Sequence, residues 1–186
     1  MHAQTSIRGF TLIEMMVGVT IAVLLLLQGV PSFTAFLRNS EIRSTAESIA
    51  NGLRVARAEA THRNLPVSFT FSAGSGDPSW AINQFSTTTG TLIQPPFQQY
   101  AKLEAGANSV VTITPGNAVS VTFNGLGRVM SPSPIATPNL QQIDVSSKVA
   151  GEARTLRIYV DEAHGIRMCD PDPALKALVP ADARAC

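Results

Sequence analysis

Glu14 is the only charged residue between positions 9 and 37, and it borders a run, 15–27, that is apolar throughout except for Gly18 and Thr20. A carboxylate in such a run costs about 2.5–3.5 kcal/mol at the centre of a bilayer and less near its edge, so it is a candidate functional group with a partner to find. Cys169 and Cys186 are the only thiols, and the compartment decides whether they pair or stay free. Lys148, Arg154, Arg157 and Arg167 are cations that could meet phosphates. Asp161, Glu162 and His164 form the one local acid–imidazole cluster, which a solvated turn explains because no nucleophile accompanies it. There is no His-Glu-x-x-His, no Gly-x-Ser-x-Gly and no phosphate-cradling glycine loop. Three scattered histidines and two cysteines make no metal set. The expectation is therefore no catalytic residue, no metal and no cofactor: not an enzyme.

These residues must be positioned by an uneven chain. It has 186 residues, 45% hydrophobic and 15% charged, with a formal net charge of +1. That is too apolar for disorder and too balanced to attract nucleic acid or anionic lipid globally. Residues 10–37 are long enough to cross a bilayer core of about 30 Å as a helix. Arg8 ahead of them would hold the N-terminus in the cytoplasm and send everything after Arg38 across the membrane. A cleaved secretory signal would need a small-x-small site after Leu27, and residues 28–35 offer none. A plain signal anchor and a buried core helix also remain, but neither gives a reason for Glu14.

Pro31 predicts a kink or a locally loosened turn near Val30. Beyond it Ile42, Ala46, Ile49, Leu53, Ala56 and Ala60 recur at helical spacing, so 38–64 reads as an amphipathic continuation. His62 and Arg63 suit the negative end of a helix dipole, and Asn64 and Pro66 stop it. The remainder, 65–186, reads as strands. Leu65, Val67, Phe69 and Phe71 alternate with polar residues, and further strands fall at 80–83, 110–114, 119–123, 142–146, 155–160 and 165–168. A hairpin is expected through Gly151 and Glu152, with 86–100 as a polar loop. The fold class is α+β: a long N-terminal helix, its first half transmembrane, packed on a β-rich head of short antiparallel strands.

The run Gly9-Phe10-Thr11-Leu12-Ile13-Glu14-Met15-Met16-Val17 resembles the class III signal of type IV pilins and type II secretion pseudopilins. The resemblance implies that 1–9 is a leader, that prepilin peptidase cuts between Gly9 and Phe10, that Phe10 becomes N-methylated, and that Glu14 is the assembly glutamate. The chemistry agrees. A glycine leaves the bond unhindered, and cutting there places an ammonium about one helical turn from Glu14. A neighbouring subunit's terminal amine could neutralise Glu14 equally well. The bland alternative is that Glu14 snorkels to the cytoplasmic interface.

The head resembles the GspH/FimT branch of that family through Phe123-Asn124-Gly125-Leu126-Gly127-Arg128, then Thr155-Leu156-Arg157-Ile158 and Gly165-Ile166-Arg167-Met168-Cys169. For Gly125 and Gly127 a tight turn with positive φ suffices. Export to an oxidising periplasm implies pairing of Cys169 with Cys186, the main tie on an otherwise weakly fixed tail. A C-terminal cysteine pair resembles pilus minor pilins more than secretion pseudopilins. The implied partners are other major and minor pilins through the N-terminal helix, prepilin peptidase and an inner-membrane assembly platform. The implied location is the inner membrane with a single pass and a periplasmic head, then a pilus or pseudopilus fibre.

Some FimT-type pilins capture DNA with a terminal Gly-Arg-x-Arg element, of which only Arg167 is present here. Residues 161–186 carry three basic and five acidic residues, and 38–157 carry ten and seven, so only weak DNA binding is expected.

Overall fold

Helix α1 spans Leu12–Arg63 and continues through position 31. The computed structural model describes residues 9–72, 74, 76–101, 108–135, 138–149, 154–161, 165–178 and 182–186, with backbone only at 28–32. The chain divides into two compact units, Met1–Leu37 and Arg38–Cys186.

In the first unit the described side chains from Leu12 to Leu27 are exposed on every face. Thr20 turns its hydroxyl back onto the Met16 carbonyl at 2.8 Å, satisfying itself within the helix. Among the described residues no helix is long and apolar enough to cross a membrane. The continuously described apolar stretch, 12–27, rises about 24 Å at 1.5 Å per residue, short of a hydrocarbon core of about 30 Å. The expected span over 10–37 therefore does not emerge from the described residues themselves.

In the second unit the helical stripe meets a sheet. Ile42, Ala46, Ile49, Leu53, Ala56 and Ala60 are all buried. Small residues at four-residue spacing let the helix approach closely. At Gly52 an added Cβ would stand 2.9 Å from the Trp80 ring and 3.0 Å from Phe69. The helix ends at Asn64, whose φ of 52° is the left-handed stop that asparagine tolerates. Leu65, expected in the first strand, is left exposed beyond that stop, and the strand begins at Val67.

Two antiparallel sheets build the head. The first comprises β1 (Val67–Phe71), β2 (Trp80–Ser86), β3 (Thr91–Leu92), β4 (Gln98–Tyr100) and β6 (Ser120–Phe123); β1 lies between β2 and β6, and β3 and β4 pair with β2. The second has the order β5 (Ser109–Thr114), β7 (Gln142–Ser147), β8 (Leu156–Asp161) and β9 (Gly165–Cys169). Expected strands 110–114 and 119–123 thus fall in different sheets. Strands β7 and β8 pair as the expected hairpin would, although Gly151 and Glu152 lie outside the described residues. The 86–100 segment is not all loop: it carries β3 and β4, formed by backbone pairing with β2 rather than by apolar alternation.

The core is shared by helix and both sheets, with Phe69, Phe123, Ile49, Leu53, Ile143 and Ile158 among its fully buried members. Each large apolar side chain removed from water contributes about 1.5–3 kcal/mol. Two polar pairs lie inside: Thr45 meets Ser109 at 3.1 Å, joining helix to β5, and Ser68 meets Thr122 at 2.7 Å across β1–β6, whereas Thr70 Oγ1, Trp80 Nε1 and Ser120 Oγ have no hydrogen-bond partner among the described residues.

The C-terminal tail is fixed by more than its disulfide. Cys169 and Cys186 are joined, with an S–S distance of 2.13 Å. Besides that bond, the Asp170 N–H donates to the Arg184 carbonyl at 2.7 Å and the Cys186 N–H to the Asp170 carbonyl at 3.0 Å. A short helix α2 (Pro173–Lys176) starts at Asp172, whose carboxylate accepts from the Ala174 N–H at 2.9 Å.

Candidate functional site

Gly9 and Phe10 precede the helix, and no described residue crowds Gly9 within 4 Å of where a side chain would begin. Phe10 is 79% exposed. Thr11 caps the helix: its hydroxyl accepts from the Glu14 N–H at 3.3 Å, and its carbonyl from the Met15 N–H at 3.2 Å. Thr11-x-x-Glu14 is the spacing of a capping box, a signal the sequence reading overlooked. It places the Glu14 carboxylate in the first turn, where the helix dipole favours negative charge. A Gly9–Phe10 bond outside the helix, an acid one turn beyond it and an exposed, largely apolar helix surface over 12–27 therefore coexist in Met1–Leu37.

The four sequence-predicted cations are largely occupied. Arg157 holds Asp144, opposite it across β7–β8, through two hydrogen bonds of 2.7 and 3.0 Å. That bonding to Asp144, and to Tyr159 at 3.4 Å, raises the Arg157 pKa further above its ordinary value. Arg154 faces the Asp170 carboxylate at 3.9 Å, and Arg167 donates to the Ala185 carbonyl at 3.3 Å. Lys148 ends the β7 region, its N–H on the Asn108 carbonyl at 2.9 Å. Arg157 thus has its partner in the sheet, and Arg154 and Arg167 have theirs in the C-terminal tail.

Of the acid–imidazole cluster, Glu162 and His164 lie outside the described residues. Among the described residues no group of His, Cys, Asp and Glu could hold a metal.

The 123–128 element is a turn after β6. The Asn124 side chain accepts from the N–H groups of Leu126 and Arg128, both at 3.0 Å, and the Gly127 N–H donates to the Asn124 carbonyl at 2.8 Å. Gly127 has the expected positive φ, 72°. Gly125 does not, and needs glycine for a different reason: a Cβ there would sit 3.0 Å from the carbonyl carbon of Asn64. The turn is pressed against the end of α1.

A pilin-like subunit is the class these two units define. Residues 45–163 match the family model for type II transport protein GspH, more than half of the chain, and residues 5–27 match the prokaryotic N-terminal methylation motif. The chain belongs to the GspH family of minor pilins and pseudopilins. Family members are structural pilins rather than enzymes. The chain is similar in fold to the type IV minor pilin FimU of Pseudomonas aeruginosa, at 17% identity and a TM-score of 0.56, covering 72% of this chain and 91% of that one. It is also similar to the minor pseudopilin EpsH from the type 2 secretion system of Vibrio cholerae, at 15% identity and a TM-score of 0.52, covering 71% and 98%. A comparison with curated proteins finds no match.

Proposed function

We propose that this chain is a minor pilin, cut between Gly9 and Phe10 by prepilin peptidase, methylated at Phe10, and packed into a type IV pilus whose assembly it primes or caps. Before assembly residues 10–37 anchor it in the inner membrane, with Arg38–Cys186 in the periplasm. The carrying observation is the methylation motif over 5–27, set on an exposed scissile bond and an apolar helix with Glu14 in its first turn. Exposed apolar surface on every helix face has no use in water; lipid first, then the helices of other pilins, would cover it. In that low dielectric the Phe10 ammonium, its own or a neighbour's, attracts Glu14 strongly, and this sets register. The Glu14→Ala variant should be cleaved and inserted yet absent from purified fibres; normal incorporation would refute the assembly role.

The second reading is a pseudopilin of a type II secretion system, favoured by the family match to GspH. The same helix chemistry serves both machines. The C-terminal cysteine pair supports the pilus. Deleting the gene should abolish pili and spare secretion; the reverse result selects the second reading.

A further inference from the structure

Ten arginines of Arg38–Cys186 are described, and seven of their side chains are engaged: Arg38, Arg43, Arg63, Arg154, Arg157, Arg167 and Arg184. Of these ten described arginines, Arg54, Arg57 and Arg128 make no side-chain hydrogen bond or ion pair, and all three are exposed. They come together. Arg54 and Arg57 line a cavity of about 360 Å³ on one face of α1, and Arg57 and Arg128 line an adjoining one of about 130 Å³. Arg57 is seated between two glycines of positive φ: Cβ positions on Gly127 and Gly165 would lie 3.3 and 3.2 Å from its guanidinium. Leu126, 76% exposed, stands on the rim beside Arg128, and Ile166 lines both cavities.

We infer that this surface docks an acidic segment of another protein, its carboxylates on Arg54, Arg57 and Arg128 and an apolar side chain against Leu126. Guanidinium forks match carboxylates in bidentate fashion. A phosphodiester chain would match them too, but it gains nothing from Leu126 and Ile166, and Asp161 on the rim repels a continuous polyanion. Among the described residues of its head, a second copy of this chain would have to break an existing interaction to offer a carboxylate. Glu41 accepts from the Asn108 N–H, Glu47 and Glu59 hold Arg43 and Arg63, and Asp144 and Asp182 hold Arg157 and Arg184. Asp77, Asp161, Asp170 and Asp172 are likewise engaged. The inference goes beyond the choice between pilus and secretion system and does not depend on it.

The test is a photo-cross-linker at position 126 of the full chain in cells that make it, with exposed position 149 as the control. The expected product is one identified protein, cross-linked within a segment bearing at least two Asp or Glu. Its yield should fall at least tenfold in the Arg54→Glu/Arg128→Glu variant, whose thermal melting should be unchanged because both side chains are exposed and unpaired. It should hold in Arg43→Glu, and return when the partner's acids are changed to Lys in the charge-reversed background. No cross-link above the position-149 control, a product with nucleic acid or with a second copy, a segment without acids, or a yield indifferent to Arg54→Glu/Arg128→Glu each overturns it.

Discussion

Gly52→Ala sets two known effects against each other at one atom. Alanine in mid-helix favours α1 by about 1 kcal/mol over glycine. Against that, the new methyl would lie 2.9 Å from two carbons of the Trp80 ring and 3.0 Å from Phe69, closer than carbon atoms settle. Neither ring can easily retreat. Phe69 is fully buried and Trp80 is 2% exposed, with ring centroids 5.3 Å apart, and Trp80 stacks on Tyr100 at 5.7 Å. Overpacking of this kind costs about 1–3 kcal/mol, so the net expectation is a loss of about 0–2 kcal/mol, or a few degrees in Tm. Trp80 is the only tryptophan, so its fluorescence reads the site directly. Urea unfolding of wild type and variant should show the lower midpoint together with a changed native emission. A variant more stable than wild type, with Trp80 emission unaltered, would refute the close packing of α1 on Trp80 and Phe69.

Replacing both Cys169 and Cys186 by Ser opens a loop of sequence separation 17 and should cost about 3 kcal/mol, on the order of 6–12 °C in Tm; an unchanged Tm would show that the backbone bonds of the tail suffice. The Asp182 carboxyl is lowered from 3.8 to about 2, first by the Arg184 side-chain hydrogen bond and then by the Arg184 N–H. A depressed folded-state pKa contributes fully above the unfolded value, so protection of the 182–186 amides should persist down to about pH 4 and fade toward pH 2; hydrogen exchange that is flat across that window contradicts it. Duplex DNA should bind weakly, with a log–log salt slope shallower than the −3.6 of four contacts at about 0.9 each, because Arg157 and Arg154 already face acids. A steep mobility-shift salt dependence abolished by Arg167→Ala would reverse that expectation.

The helix was legible because a 3.6-residue period survives any partner: the stripe from Ile42 to Ala60 is the buried face. Strand β1 was legible for the same kind of reason at Val67, Phe69 and Phe71, yet alternation placed Ser68 outside, and it is buried because Thr122 answers its hydroxyl. Strands β3 and β4 left no period to read, being two and three residues long and defined by backbone bonds to β2. The processing motif was visible because its residues are contiguous. The Arg54, Arg57 and Arg128 convergence was not, since the third member reaches the first two only when the 124–128 turn folds against the end of α1. Composition around Arg157 and Arg167 pointed to cations, but strand register decides that Asp144 takes the first of them.

The proposed role begins at a single peptide bond, Gly9–Phe10, and the terminus its cleavage leaves. Tandem mass spectrometry of the chain recovered from membranes should find a first peptide beginning at Phe10 and carrying one N-methyl group. Gly9→Val, which places a β-branched side chain at the scissile bond, should leave residues 1–9 attached. A wild-type chain that retains residues 1–9, begins elsewhere or starts at an unmethylated Phe10, or normal processing of Gly9→Val, would contradict the account.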